Sequence, residues 1–142
     1  MRRIPMLVAA SVALPLAALL AGCAAPAGAG DTARLVIKDN ELRVPGDPCN
    51  GPGPFKDVHA TATYAVRDAD GNVLGEGELP QGVAEKMLEI DFKGIAEPTK
   101  CTFALVTSIP DDSDEAYLDI GERTGIVMMK NRDDDVWEAI LP

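Results

Sequence analysis

From Asp31 onward, apolar and polar residues alternate with period two rather than falling on a helical stripe. The clearest run is Asp57 to Asp68, where Val58, Ala60, Ala62, Tyr64 and Val66 share one face. His59, Thr61, Thr63, Ala65 and Arg67 share the other. One apolar and one mostly polar face suits an antiparallel sheet with a wet side, so the pattern predicts a strand across the whole run. Asp68-Ala69-Asp70-Gly71 is a turn signal, Asn72 to Leu79 returns as the partner strand, and Pro80-Gln81-Gly82 marks another reversal. In a second strong strand, Cys101 to Ile109, the side chains of Cys101, Phe103, Leu105 and Ile109 point inward with Thr107 as the one polar member. Tyr117 to Ile120 and Gly125 to Lys130 flank a turn around Gly121 to Thr124, while Leu35 to Lys38 opens the domain and Val136 to Leu141 closes it. Val83 to Gly94 reads two ways. Leu88, Ile90 and Phe92 alternate like a strand, whereas Val83, Met87 and Ile90 suit a helix face; Phe92 and the following Gly94 favour strand. The expected fold is all-β, an immunoglobulin-like antiparallel β-sandwich of about seven or eight strands with one disulfide.

The first 22 residues have a different character. Arg2 and Arg3 precede an uncharged run from Ile4 to Leu20, which closes with Leu20-Ala21-Gly22-Cys23. A basic start, an apolar middle and small residues before a cysteine make a lipoprotein signal. The run is about long enough to span a bilayer. Pro5 and Pro15 disfavour a regular helix throughout it, and the small residues fit cleavage. On this reading Cys23 takes a diacylglycerol, and two acyl chains hold stably where one holds marginally. The Arg pair alone does not separate twin-arginine from general export. The expected organisation is a signal peptide over 1–22, lipidated Cys23 and a small-residue tether over 23–32, and the sandwich over 33–142. As a loose coil, the roughly eight residues from Ala24 to Asp31 would extend about 15 Å.

With Cys23 committed to lipid, Cys49 and Cys101 remain. An even pair in an exported chain predicts a disulfide, here closing a loop of about 50 residues and contributing on the order of 4 kcal/mol. Cys49 lies in Pro45 to Pro54, where seven of ten residues are Pro or Gly, so that stretch cannot be helix or central strand. The bond would pin this loop to a core strand.

Charge narrows the partners. The chain has 142 residues, 13 basic and 23 acidic. Removing Arg2 and Arg3 with the signal leaves eleven basic residues against 23 acidic ones, a net charge of −12. Such a domain repels phosphate backbones, which excludes nucleic acid as a partner. The length fits one domain. The acidic runs suggest one cofactor: Asp111, Asp112 and Asp114 on one loop, with Asp133 and Asp135 on another, are the candidate ligands of a calcium ion, which takes six or more oxygens. Against this, carboxylates adjacent in sequence cannot all face one ion, and a charged loop also keeps a domain soluble. Asp68 to Asn72 opens like a calcium loop, yet Val73 and Leu79 stand where an EF-hand needs Gly and Glu, leaving a hairpin turn. Met87, Met128, Met129 and His59 could serve Cu(I), but Met128 and Met129 are strand neighbours on opposite faces, so at least one is core filling. His59 lies mid-strand with no Ser or Cys recognisably beside it, so no catalytic residue is assigned. Trp137 suits either a partner contact or the core, the core being the stronger reading.

Cys49-Asn50-Gly51-Pro52-Gly53 followed by Asp57-Val58 resembles the C-x-G-x-G…D-[IV] entry of small secreted and lipid-anchored actinobacterial β-sandwich domains. The hairpin Val66-x-Asp68-x-x-Gly71-x-x-Leu74-x-x-Gly77-x-Leu79 is similar to theirs, as are Cys101-x-Phe103 and Tyr117-x-Asp119-Ile120-Gly121-x-Arg123. The likeness runs from about residue 49 to 125 and implies the sandwich and its disulfide. The family has no assigned activity, so it implies no active site. The expectation is a non-enzymatic lipoprotein at the extracytoplasmic face of the cell membrane, anchored through Cys23, that serves as an interaction module, with an envelope protein as the candidate partner. A calcium- or small-ligand-binding protein is the alternative, and a cell-wall hydrolase follows behind.

Overall fold

The computed structural model describes residues 32–90 and 92–142. The residues expected to form the signal, the lipidated Cys23 and the tether up to Asp31 lie outside the described residues. Ten strands form one sheet: β1 (Thr32–Ile37), β2 (Leu42–Arg43), β3 (Pro48–Cys49), β4 (Thr63–Arg67), β5 (Val73–Glu78), β6 (Gly82–Lys86), β7 (Glu97–Val106), β8 (Ala116–Ile120), β9 (Arg123–Lys130) and β10 (Trp137–Leu141). Their order is β3-β6-β7-β1-β10-β9-β8-β4-β5, with β2 alongside β7. Every pairing is antiparallel except β1 with β10, where the first and last strands of the body run side by side.

The sheet curls until its ends approach. Only Leu79 to Gln81 separate β5, at one end of the order, from β6, next to the other end. So short a link cannot cross a flat sheet of that width, because neighbouring strands stand about 4.8 Å apart. Ser108 N–H donates to Leu74 C=O at 3.1 Å across the closure. Beside it the Tyr64 hydroxyl accepts from Val106 N–H at 2.9 Å and donates to Val106 C=O at 3.1 Å. The two halves of the curled sheet enclose a single sandwich-like core that includes Leu35, Ile37, Val66, Phe103, Leu118, Ile120 and Met128. Trp137 is part of it at 3 % exposure. Cys49 and Cys101 are joined with their Cα atoms 5.8 Å apart, so the disulfide links β3 to β7, both of which also pair with β6.

The all-β body with one disulfide is therefore present. Its strand count exceeds the expected seven or eight because β2 and β3 are two-residue ribbons, and β3 sits within the Pro/Gly loop. Such short ribbons leave no periodicity to read.

The strand expected over Cys101 to Ile109 runs over Glu97–Val106, β9 begins at Arg123 inside the expected turn, and two stretches depart further. The strand expected over Asp57 to Asp68 begins only at Thr63. A short 3-10 turn at Gly53–Phe55 leads into Val58, whose N–H donates to Phe55 C=O, and Ala62 N–H donates to His59 C=O. Thr61 takes φ 73°, which ends any extended run there. Val58 and Ala62 are nonetheless buried, so the loop imitates a strand by facing the core at the same parity. Likewise the strand expected over Val83 to Gly94 stops at Lys86. Lys86 pairs with Thr99, so the intervening residues make the reversal into β7, with Lys93 and Gly94 at positive φ. Leu88 and Ile90 are 44 % and 59 % exposed.

Candidate functional site, a groove on the outer face of the sheet

Strand parity sorts the side chains of the central strands into two faces. Leu35, Phe103, Ala84 and Ala139 face the core. The opposite parity carries a second row, apolar but for Thr102, since Val83 stands opposite Thr102, Thr102 opposite Val36, and Val36 opposite Ile140. In the next row Ala104 stands opposite Arg34, Arg34 opposite Glu138, and Glu138 opposite Met129. Val36 is only 2 % exposed yet lies outside the core cluster. Val83, Val106 and Met129 on this face are 43 %, 79 % and 60 % exposed.

A groove of about 490 Å³ lies over the β6–β7–β1 part of these rows, lined by Arg34, Pro80, Gln81, Val83, Thr102, Ala104 and Val136 among others. The link between β5 and β6 forms one wall, with Gln81 held by its Nε2 donating to Cys49 C=O at 3.1 Å. The opposite wall is an ion cluster. Arg34 donates from Nε to Glu138 Oε1 at 2.6 Å, bonds the same oxygen through Nη2, and meets Asp134 at 2.8 Å. Asn131 Nδ2 also donates to Glu138 Oε1, at 3.0 Å. Burial works against the Arg34 charge, but Glu138 and Asp134 together hold the guanidinium above its ordinary pKa. Thus the wall is charged yet internally satisfied, and it offers no unpaired ion to a ligand. Thr102 adds a buried hydroxyl with no hydrogen-bond partner among the described residues. Such a surface suits apolar contact with a few oriented polar groups, the usual make-up of a binding cleft.

The candidate calcium ligands do not form a site. Asp111 and Asp112 are exposed in the turn after β7, and Asp114 lines a shallow cleft with Asp68, Asp70 and Glu115. In the other run Asp133 N–H donates to Asn131 Oδ1, while Asp135 pairs with Lys130 at 3.2 Å. Both loops lie at the same end of the paired β8 and β9. Even so, among the described residues no three His, Cys, Asp or Glu side chains are placed to hold a metal. The physical reason is that each run spreads its carboxylates around a turn. His59 is exposed, with Nδ1 2.7 Å from its neighbour's carbonyl, Ala60 O. Met128 is core and Met129 is exposed, on opposite faces as their adjacency requires.

Residues of the motif pattern serve the framework. Asp57 pairs bidentately with Arg123, whose guanidinium also lies 5.1 Å from the Phe55 ring centre and bonds Pro54 C=O. Hydrogen bonding to Arg123 holds the Asp57 carboxyl below its ordinary pKa. Asp119 is lowered too, first by the Gly125 N–H and then by Arg67. Together these contacts fasten the loop after β3 and the β8–β9 turn.

The outer-face residues Arg34, Val36, Val83 and Glu138 were not singled out from the sequence. The available signal was an apolar residue at a wet parity, such as Val36 inside Leu35-Val36-Ile37. No protein-family model, curated protein or solved structure matches the chain.

Proposed function

We propose that this protein is a non-catalytic binding module, tethered to the extracytoplasmic face of the cell membrane through lipid on Cys23, and that it takes its partner in the outer-face groove. The observation that carries the reading is the row Val83, Thr102, Val36 and Ile140 across β6, β7, β1 and β10, apolar but for Thr102, at positions where a sheet serving only its own core would carry polar residues. The anchor rests on the Leu20-Ala21-Gly22-Cys23 pattern after an uncharged run. A photo-crosslinking amino acid at Val83, in cells that make the protein, should yield a discrete adduct that the same probe at Glu122 does not. Equal or absent adducts at the two positions would remove the groove as the contact. Metabolic labelling with a fatty-acid analogue should mark the protein and leave Cys23→Ser unmarked, and an unlabelled wild-type chain would remove the anchor.

A second reading is a small apolar ligand in the same groove. Its volume lies within the range of about 300–1,000 Å³ typical of small-molecule sites. A small molecule retained through purification and detected by native mass spectrometry, then lost in Val83→Glu, would favour it over a protein partner.

A further inference from the structure

At the β5 end of its order the sheet leaves a short strand edge open. At the far end, β3 spans two residues and begins with Pro48, and the neighbouring edge of β6 is occupied by bonds between Gly46 N–H and Ala84 C=O and between Ala84 N–H and Asp47 C=O. At the near end, β5 pairs with β4 alone in the ladder. Leu79 N–H donates to Ala62 C=O and its C=O accepts from Thr61 N–H, so Leu79, Gly77 and Gly75 turn their backbone groups toward β4. Alternate residues turn theirs away. Leu74 fits this parity, because its C=O accepts from Ser108 on the outer side. Beyond Leu74, the N–H and C=O of Glu76 and Glu78 face the open edge. Both side chains are exposed and, with Thr63 and Gly77, line a shallow cleft of about 450 Å³.

From this edge we infer that β5 is a strand-addition site, and that its occupant is an extended, lysine- or arginine-bearing segment of another protein. Main-chain bonds to Glu76 and Glu78 supply the pairing, as in other β-augmentation, and alternate basic side chains meet the two carboxylates. Charge selects against a second copy of this chain, since antiparallel self-pairing centred on Gly77 sets Glu76 against Glu78. This surface is separate from the groove, and it stands whether or not the groove holds a partner.

The test uses the full chain in detergent and two capped peptides, one alternating lysine with valine and one alternating glutamate with valine. Hydrogen exchange at the Glu76 and Glu78 amides should slow about tenfold on saturation with the lysine peptide and stay unchanged with the glutamate peptide. Glu76→Pro removes an N–H that points outward, not one bonded to β4, and should abolish the protection. Reversing both charges, Glu76→Lys with Glu78→Lys, should weaken the lysine peptide by about tenfold and admit the glutamate peptide, the scale of two cross-strand charge pairs. The charge-reversed protein carries the test alone if the proline variant does not fold. Absence of protection, equal protection by both peptides, or protection that rises with protein concentration when no peptide is present would each overturn the assignment.

Discussion

Replacing Tyr64 by Phe removes one oxygen at the place where the sheet closes and leaves the ring in its packing. The Tyr64 hydroxyl is the partner of both backbone groups of Val106, accepting at 2.9 Å and donating at 3.1 Å. Each such bond contributes about 1 kcal/mol net, so two give about 2 kcal/mol if both Val106 groups are orphaned. Val106 lies at the rim with its residue 79 % exposed, so water replaces part of the loss and the expected cost falls to about 1–2 kcal/mol. For a body of this size that lowers the melting temperature by roughly 4–8 °C. Urea unfolding followed by the fluorescence of Trp137, buried at 3 % exposure, should show a lower midpoint with an unchanged slope. Tyr117→Phe is the control, because its hydroxyl donates to the exposed Glu115 at 2.7 Å and should change stability by less than about 0.5 kcal/mol. If the two variants unfold at the same urea concentration, the Tyr64 hydroxyl does not hold the closure.

Three further outcomes follow from the same geometry. Gly82→Ala should destabilise by about 1–3 kcal/mol in the same unfolding assay, since its Cβ would stand 2.7 Å from both Cys49 O and the fully buried Phe103 ring; a neutral result would mean β3 and Phe103 yield freely. Replacing Cys49 and Cys101 together by Ala should cost on the order of 4 kcal/mol through loop entropy for a separation of 52 residues, and a loss under about 1 kcal/mol would show that the open chain is already constrained. For pH, Asp57, Asp68 and Asp119 are lowered by Arg123, by Asn72 and by the Gly125 N–H respectively. Lowered carboxyls stabilise the fold above the ordinary aspartate pKa and lose that contribution as pH falls through their folded values. Asp119→Asn should therefore be less stable near neutrality and lose less stability on acidification; parallel curves of urea midpoint against pH would remove Asp119 from the acid response.

Much of the body follows from alternation. Tyr64 and Val66, Phe103 and Leu105, and Leu118 and Ile120 face the core as their spacing requires, and Cys101 shares that parity. The candidate site was less legible. Arg34 and Glu138 are 104 residues apart in the chain and meet only because β1 and β10 pair in parallel. The Asp57 and Thr63 regions illustrate the opposite failure. Val58 and Ala62 keep the inward parity of a strand although the backbone between them turns, so periodicity reported burial correctly and conformation wrongly.

Local chemistry alone determined the all-β character and the placing of the main turns, because side-chain period, proline and glycine act within a few residues. Only the tertiary structure decided that the sheet curls until its opposite ends meet, that β1 lies beside β10, and that Val36, Val83 and Thr102 form one row outside the core. Those outcomes depend on which strands pair and in what register. Pairing is settled by burying both halves of the sheet at once, a condition that no short stretch of sequence contains.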